Sequence, residues 1–330
     1  MLLPFMGYSF SLEDIAGLGP LKAGPAGRLR WPSVFVLPGW LKAWWQVFGA
    51  GSSLFLGLIK RDDAVIGVAP LKVVGDTASF IGDASVCDYL DFVISPGRET
   101  EFFSILLDEM KKRGISHLEL GALRPDATVL GHLVGLAEGR QHSVSCRAVA
   151  ASLELDLPAT WPEYLAALTT KQRHEVRRRL RRLEEAGKVG FRVLRRQPEV
   201  LGGLDTFIRL LRQSRQDKAR FMDEPMKTFF ELVAGAMAEA GLLRLGFLEL
   251  DKTPVAAVMY FDYNDTIYLY NSGYDPRYGG LSVGLLSKVL CIKDSIEQGR
   301  GRFDFLKGAE VYKYRLGGHK IPLHLCQIDL

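Results

Sequence analysis

Apolar and polar residues change their period several times along the chain, and each change marks an element. An aromatic run at 40–48, Trp-Leu-Lys-Ala-Trp-Trp-Gln-Val-Phe, has the spacing of a short buried helix. Strands follow at 53–60 and 64–74, and Arg61-Asp62-Asp63 between them is a turn signal that makes a hairpin. Shorter apolar runs at 78–81 and 89–94 read as further strands. Over 99–113 the period becomes helical: Phe102, Phe103, Leu106, Leu107 and Met110 share one face, and Gly114 stops the helix. A strand at 117–120, a helix over 126–137 and a strand at 148–155 complete this half. Residues 1–40, rich in Gly and Pro, are expected to be irregular.

Leu157-Pro-Ala-Thr-Trp-Pro162 interrupts the pattern and sets the expected domains at 1–156 and 157–330. Beyond it, helices are expected at 163–168 and 171–186, a strand at 190–194, and helices at 199–217 and 225–240. Three strands come next at 242–250, 254–263 and 266–272, with Asp251-Lys252-Thr253 and Asn264-Asp265 as turns. A Gly-rich loop over 275–284 opens a long helix to 298; a strand at 303–306, a short helix at 309–315 and a strand at 322–328 close the chain. Each half is thus a meander, then a helix, then another strand. The fold class is α/β (α+β), two tandem domains of mixed, mostly antiparallel sheet flanked by helices, with a cleft between them.

Composition narrows the class. A chain of 330 residues can bury two cores, and 48% hydrophobic with 24% charged residues excludes wholesale disorder. The net charge of +4 is no argument for nucleic acid. The leading residues MLLPFMGYSF carry no basic segment, and Pro4 and Gly7 break their apolar run, so they make a poor signal peptide. No stretch approaches the roughly 20 apolar residues of a membrane span. Cys87, Cys146, Cys291 and Cys326 form no CxxC pair, which suggests free buried thiols in a reducing compartment, hence a cytoplasmic protein. The six histidines form no HExxH and no Cys/His quartet, so no metal is expected.

Three segments stand out in the second half: Asn271-Ser-Gly-Tyr-Asp275, Gly279-Gly-Leu-Ser-Val-Gly-Leu-Leu286, and Phe303-Asp-Phe-Leu-Lys-Gly-Ala-Glu-Val-Tyr-Lys313. In their strand–loop–helix order they resemble the CelD/BcsL-like acetyltransferases of the GNAT superfamily, which are related to the FemAB-type transferases. The resemblance implies two tandem GNAT folds, the first degenerate and the second using acyl-CoA. Such a fold binds the CoA pyrophosphate at a helix N-terminus, where backbone N–H groups and the helix dipole favour an anion. Its signature Arg/Gln-x-x-Gly-x-Gly/Ala is met at Arg277 and Gly280, with Ser282 where Gly or Ala is usual. The implied CoA site is Arg277, Gly279, Gly280, Ser282, Val283 and Gly284. Gly280-Leu-Ser282-Val-Gly284 also spells the G-x-S-x-G of a hydrolase elbow, with Asp304 and His319 in triad order. That motif needs a strand running into the serine, and 275–280 is turn-forming.

Glu310, Tyr312 and Lys313 follow the strand at 303–306, where ligands of α/β sheets sit. Glu310 is the candidate base for a protonated acceptor amine, and Tyr312 or Tyr274 the candidate acid for the leaving thiolate. Lys313, in Tyr312-Lys-Tyr-Arg-Leu-Gly317, resembles the lysine of the FemAB FK-x-x-FG segment and is implied to bind the acceptor or stabilise charge. The alternative is an exposed Glu310–Lys313 ion pair. Arg173 and Arg177 share a face of a helix with six arginines, suited to a phosphorylated acceptor or to a solvated surface. Asp88, Tyr89 and Asp304 are further candidates for substrate contact. The resemblance implies an amine or hydroxyl acceptor, to be sought among sugars, lipid-linked or cell-envelope precursors. Two alternatives stand beside this: a FemAB-like ligase using aminoacyl-tRNA, with the arginine helix on the tRNA, and a non-catalytic GNAT-fold binding protein.

Overall fold

The computed structural model describes residues 7–19, 21 and 29–330, so the break expected at Pro4 lies outside them. The chain divides into two compact units, Met1–Ala150 with Pro322–Leu330, and Ala151–Ile321.

The first unit contains β1 (Tyr8–Glu13), α1 (Pro38–Phe48), β2 (Ser53–Arg61), β3 (Ala64–Val74), β4 (Thr77–Phe80), β5 (Val93–Ile94), α2 (Glu99–Lys112), β6 (His117–Leu123), α3 (Val134–Gly139) and the start of β7 (Ser143–Asp156). β1 lies within the stretch expected to be irregular. Tyr8, Phe10 and Leu12 alternate there with Ser9, Ser11 and Glu13, the period of a strand, and pair antiparallel with β2. The sheet order is β1-β2-β3-β4-β6, with β5 on β3 and β4 parallel to β6. The strand expected over 89–94 shrinks to β5, and the helix expected over 126–137 starts as a π turn at Val129–Leu133. One residue ties both changes together. Asp91 is buried, and its carboxylate accepts from the N–H and Oγ1 of Thr128, both at 2.7 Å, and from Phe92 N–H.

The second unit continues with the end of β7, α4 (Trp161–Ala167), α5 (Thr170–Glu185), β8 (Val189–Leu194), α6 (Gln197–Ser214), α7 (Gln216–Phe221), α8 (Glu224–Glu239), β9 (Leu243–Leu250), β10 (Thr253–Tyr263), β11 (Thr266–Tyr274), α9 (Val283–Glu297), β12 (Arg302–Lys307), α10 (Val311–Arg315) and the start of β13 (His319–Asp329). Its sheet runs β7-β12-β11-β10-β9-β8, antiparallel except where β11 meets β12. Reciprocal capping boxes, Thr160 with Glu163 and Thr169 with Gln172, start α4 and α5. Val283, Leu286, Val289 and Ile292 repeat at helical spacing and share one buried core with Ile267, Leu269, Phe303 and Phe305.

Two expectations are corrected. The final strand does not stay in the second half: 322–330 belongs to the first unit, where Cys326, Gln327 and Ile328 pair with β6. Strand register between distant segments leaves no trace in local periodicity. Nor are all four cysteines free. Cys146 and Cys326 form a disulfide within the first unit, while Cys87 and Cys291 are free and buried. The register of β13 brings together two thiols that are 180 residues apart in sequence.

Candidate active site

The sheet of the second unit opens where β11 and β12 part. Their parallel pairing covers only 266–268 against 302–304, although β11 continues to Tyr274 and β12 to Lys307. Across β11 the register with β10 slips at Met259/Tyr260, a bulge that increases the local twist. Beyond the split lies a cleft of about 460 Å³ built wholly from the second unit. That volume suits a small-molecule site.

Each residue of Ser272-Gly-Tyr-Asp275 has a task at this opening. Ser272 O accepts from the Lys218 ammonium. A Cβ on Gly273 would stand 2.3 Å from Leu211 N, so only glycine lets α6 lie against β11 here. Tyr274 lines the cleft, and its ring fills the space over Gly284, where a Cβ would meet it at 2.8 Å. Asp275 accepts from Arg277 N–H and pairs with the Arg277 guanidinium at 2.6 Å.

The loop that follows is a 3₁₀ turn, Pro276–Leu281, so no strand runs into Ser282 and the hydrolase elbow is not formed. Ser282 sits at the N-cap of α9 with φ 59°, and its hydroxyl does not cap the helix. Ser282 Oγ instead accepts from Arg179 Nη1 at 2.6 Å. Arg179 therefore reaches the head of α9 from the arginine helix. Arg173 hydrogen-bonds Ala166 O, and Arg177 is exposed; neither lines the cleft. Gly279, Ser282, Val283 and Gly284 line it, whereas Arg277 is turned onto Asp275 with its side chain 81% exposed. Gly280 has open space where a Cβ would stand.

Opposite the head of α9 stand Arg215 and Lys218 from α7 and its N-cap, and Glu310 and Tyr312 from α10 and its N-cap. Lys288, just over one turn into α9, is buried at the cleft wall. Its Nζ donates to Gly284 O at 2.7 Å and lies 5.2 Å from the Tyr312 ring centroid. Burial, and then the neighbouring Lys218 charge, lower the pKa of Lys288 to about 7. Burial, and then Arg215, lower that of Lys218 to about 8. Burial raises the Tyr312 phenol above its ordinary value, and the nearby Glu310 adds to the shift.

Lys313 is corrected most. It is not half of an exposed ion pair: the residue is 2% exposed, and its Nζ donates to the carbonyls of Leu306, Lys307 and Gly308 at 2.8 to 3.0 Å. The same ammonium pairs at 2.9 Å with Glu310, whose side chain is 56% exposed. Lys313 thus fastens the turn after β12, where Leu306 and Gly308 have positive φ, and holds Glu310 at the rim. Asp304 is buried in β12 and accepts from Leu306 N–H at 2.7 Å, serving the same turn. Asp88 and Tyr89 lie in the first unit. The Tyr89 ring is buried under Arg124 at 4.9 Å, beside a cavity of only about 50 Å³. Among the described residues no three His, Cys, Asp or Glu side chains are grouped to hold a metal, and no helix is long and apolar enough to cross a membrane.

Lys218, Lys288, Arg179 and Arg215 were not singled out by sequence. One signal existed for Lys288: a lysine inside the apolar run Val283-Gly-Leu-Leu-Ser-Lys-Val-Leu, where long charged residues seldom sit unless they have a task.

Residues 170–314, from α5 through α10, match the family model for an acetyltransferase (GNAT) domain. No curated protein sequence matches the chain. Among solved structures the chain is similar to FemX, at 12% identity and a TM-score of 0.63, covering 96% of each chain. It is also similar to a conserved protein of unknown function from Bacteroides thetaiotaomicron, at 11% identity and a TM-score of 0.60, covering 97% of this chain and 99% of that one. A third is L-PGS from Bacillus licheniformis, at 12% identity and a TM-score of 0.54, covering 87% and 90%. At such identities the likeness is one of fold.

Proposed function

We propose that the second unit is a GNAT-type acyltransferase of the CelD/BcsL-like kind, moving an acyl group from acyl-CoA to an amine or hydroxyl acceptor. The head of α9 carries this reading. No side chain caps that helix, Gly279 and Gly280 leave room for close backbone approach, and Arg179 arrives beside Ser282. Unpaired helix N–H groups, the dipole and a guanidinium together suit a diphosphate. Acyl-CoA, when bound, supplies an activated thioester carbonyl. Backbone N–H groups of β11 beyond its split from β12 are suited to hold the carbonyl oxygen as charge develops. Glu310, reachable from solvent and facing the cleft, takes the proton of the acceptor; for a lysine-like amine, deprotonation at pH 7 costs roughly 4–5 kcal/mol without help. Tyr312, kept neutral by burial, donates its Oη proton to the leaving sulfur, and Tyr274 is the alternative donor. Lys313 is a positioning residue for Glu310.

The corresponding helix of the first unit, α2, is also without a side-chain cap, but it carries Glu99 and Glu101 in its first turn, and its N-cap Arg98 is already paired with Glu101, so the reading expects one CoA per chain. The reading expects the protein where its acyl donor is, in the cytoplasm, while the Cys146–Cys326 disulfide withdraws the argument from free thiols. One observation favours a second reading: Arg177, Arg178, Arg181 and Arg182 are all exposed on α5, as a FemAB-like ligase that held aminoacyl-tRNA there would need.

Calorimetry with CoA tests the first reading. Gly279→Asp, which adds bulk and negative charge at the phosphate seat, should abolish binding without changing the circular dichroism spectrum. Glu310→Gln should bind CoA normally and lower kcat by about 10²–10⁴. CoA binding unaffected by Gly279→Asp, or tRNA binding that falls steeply with salt while CoA does not bind, overturns it.

A further inference from the structure

The charges lining the cleft are mostly balanced by neighbours. Arg215 pairs with Asp217 at 2.7 Å, Arg179 with Glu175 at 2.6 Å, and Glu310 with Lys313 at 2.9 Å. Lys218 and Lys288 are left over. Among the described residues neither forms an ion pair, and their hydrogen bonds go to neutral oxygens. Lys218 Nζ donates to Asn271 Oδ1 and Ser272 O, and Lys288 Nζ donates to Gly284 O. An ammonium has three donors, so one remains on Lys218 and two on Lys288. A largely desolvated cation without a counter-ion is costly, and two of them on one cleft are costlier still. Such an arrangement becomes favourable when a ligand brings the missing negative charge.

Lys288 leaves α9 six residues beyond Ser282, and its Nζ turns back to Gly284 O at 2.7 Å, so the two lysines share one cleft with the head of α9. They stand on the side of the proposed chemistry, since Lys288 lies over Tyr312, and Glu310 acts on both lysines electrostatically. The groups around Lys288 are Lys218, Glu310, Lys313, Cys291 and Tyr312, and the only carboxylate among them already serves Lys313.

We infer that Lys218 and Lys288 form a second anion seat that holds a phosphate or carboxylate group of the acyl acceptor. Its assignment to the acceptor rests on the acyltransferase reading; the seat itself does not. The acceptor would then carry its nucleophile and an anionic group close together, and a neutral amine or alcohol of the same size would be a poor substrate. Anion binding should also draw protons onto the two lysines, whose pKa values stand near 7 and 8 without it.

The full-length protein, saturated with desulfo-CoA, is titrated calorimetrically with inorganic phosphate and separately with acetate. One anion per chain should bind, with net proton uptake at pH 8 read from the dependence of the heat on buffer. Lys218→Met and Lys288→Met should each weaken anion binding by about tenfold or more, the worth of a charge-assisted bond, while the affinity for CoA stays within about twofold. Tighter phosphate binding assigns a phosphorylated acceptor, and tighter acetate binding a carboxylated one. The inference fails if the variants bind both anions as well as the wild type. It fails also if they lose CoA and phosphate affinity together, because the lysines then belong to the CoA phosphates. If CoA does not bind at all, the acyltransferase reading falls, and the same comparison without CoA still decides the seat. Should Lys288→Met not fold, Lys218→Met at the more open end of the pair decides alone.

Discussion

Replacing Lys313 with methionine keeps most of the apolar stem and removes the ammonium. Three carbonyls, of Leu306, Lys307 and Gly308, then lose their donor, and Glu310 loses its partner. A hydrogen bond to a charged group contributes about 1.5–3 kcal/mol, and a buried acceptor left unsatisfied costs about 1–3 kcal/mol. Simple addition overstates the loss, because the three bonds share one donor and water can approach from the side of Glu310, which is 56% exposed. The expected destabilisation is about 3–5 kcal/mol, as for breaking a buried pair. For a unit of this size that lowers Tm by about 6–20 °C. Glu310→Gln at the exposed end should cost no more than about 1 kcal/mol. Guanidinium unfolding followed by tryptophan fluorescence and circular dichroism, with a separate transition allowed for each unit, measures both. A Lys313→Met protein within about 1 kcal/mol of wild type would show that the ammonium does not hold the turn, and Lys313 would return to the list of residues free to meet substrate.

Three further outcomes are expected. Gly284→Ala places a Cβ 2.8 Å from the Tyr274 ring, so overpacking should cost about 1–3 kcal/mol and weaken CoA binding, measured by thermal shift and calorimetry; unchanged values would mean that the ring yields freely. Reduction of the Cys146–Cys326 disulfide, or Cys326→Ser, should destabilise the first unit by about 2–5 kcal/mol, and identical midpoints with and without reductant would contradict a formed bond. Lys288 titrates near 7 in the folded chain against 10.5 in the unfolded one, so between those values the unfolded state binds more protons and stability should rise with pH. Lys288→Met should flatten that rise in denaturation midpoints taken from pH 7 to 10, and an unaltered slope would place the titration elsewhere.

Where an element depends on its own residues, the sequence was sufficient to find it. The apolar faces of α2 and α9, the turns at Asp251-Lys252 and Asn264-Asp265, and the meander β9–β11 all follow from local period and turn chemistry. β1 alternates as a strand does, but it lies among glycines and prolines, whose local preference is for irregular backbone. The return of 322–330 to the first unit was not legible, nor was the disulfide that depends on it. Both are consequences of strand register between segments far apart, which no local pattern records.

The site divides in the same way. The segments Ser272-Gly-Tyr-Asp275 and 279–286 could be picked out because their glycines and turn residues serve the backbone, and backbone demands are written locally. Side-chain roles inside the cleft depend on what each long residue meets after folding. Glu310 and Lys313, three apart on one short helix, look like an ordinary surface pair, yet one is at the rim and the other is spent on three carbonyls. Arg173, Arg177 and Arg179 are neighbours on one helix, and only Arg179 has the angle to reach Ser282. Lys218 and Lys288 come from α7 and α9 and meet only through the fold. Their significance lies in the lack of a counter-charge among the described residues, and an absence of that kind depends on where every neighbour falls in the fold.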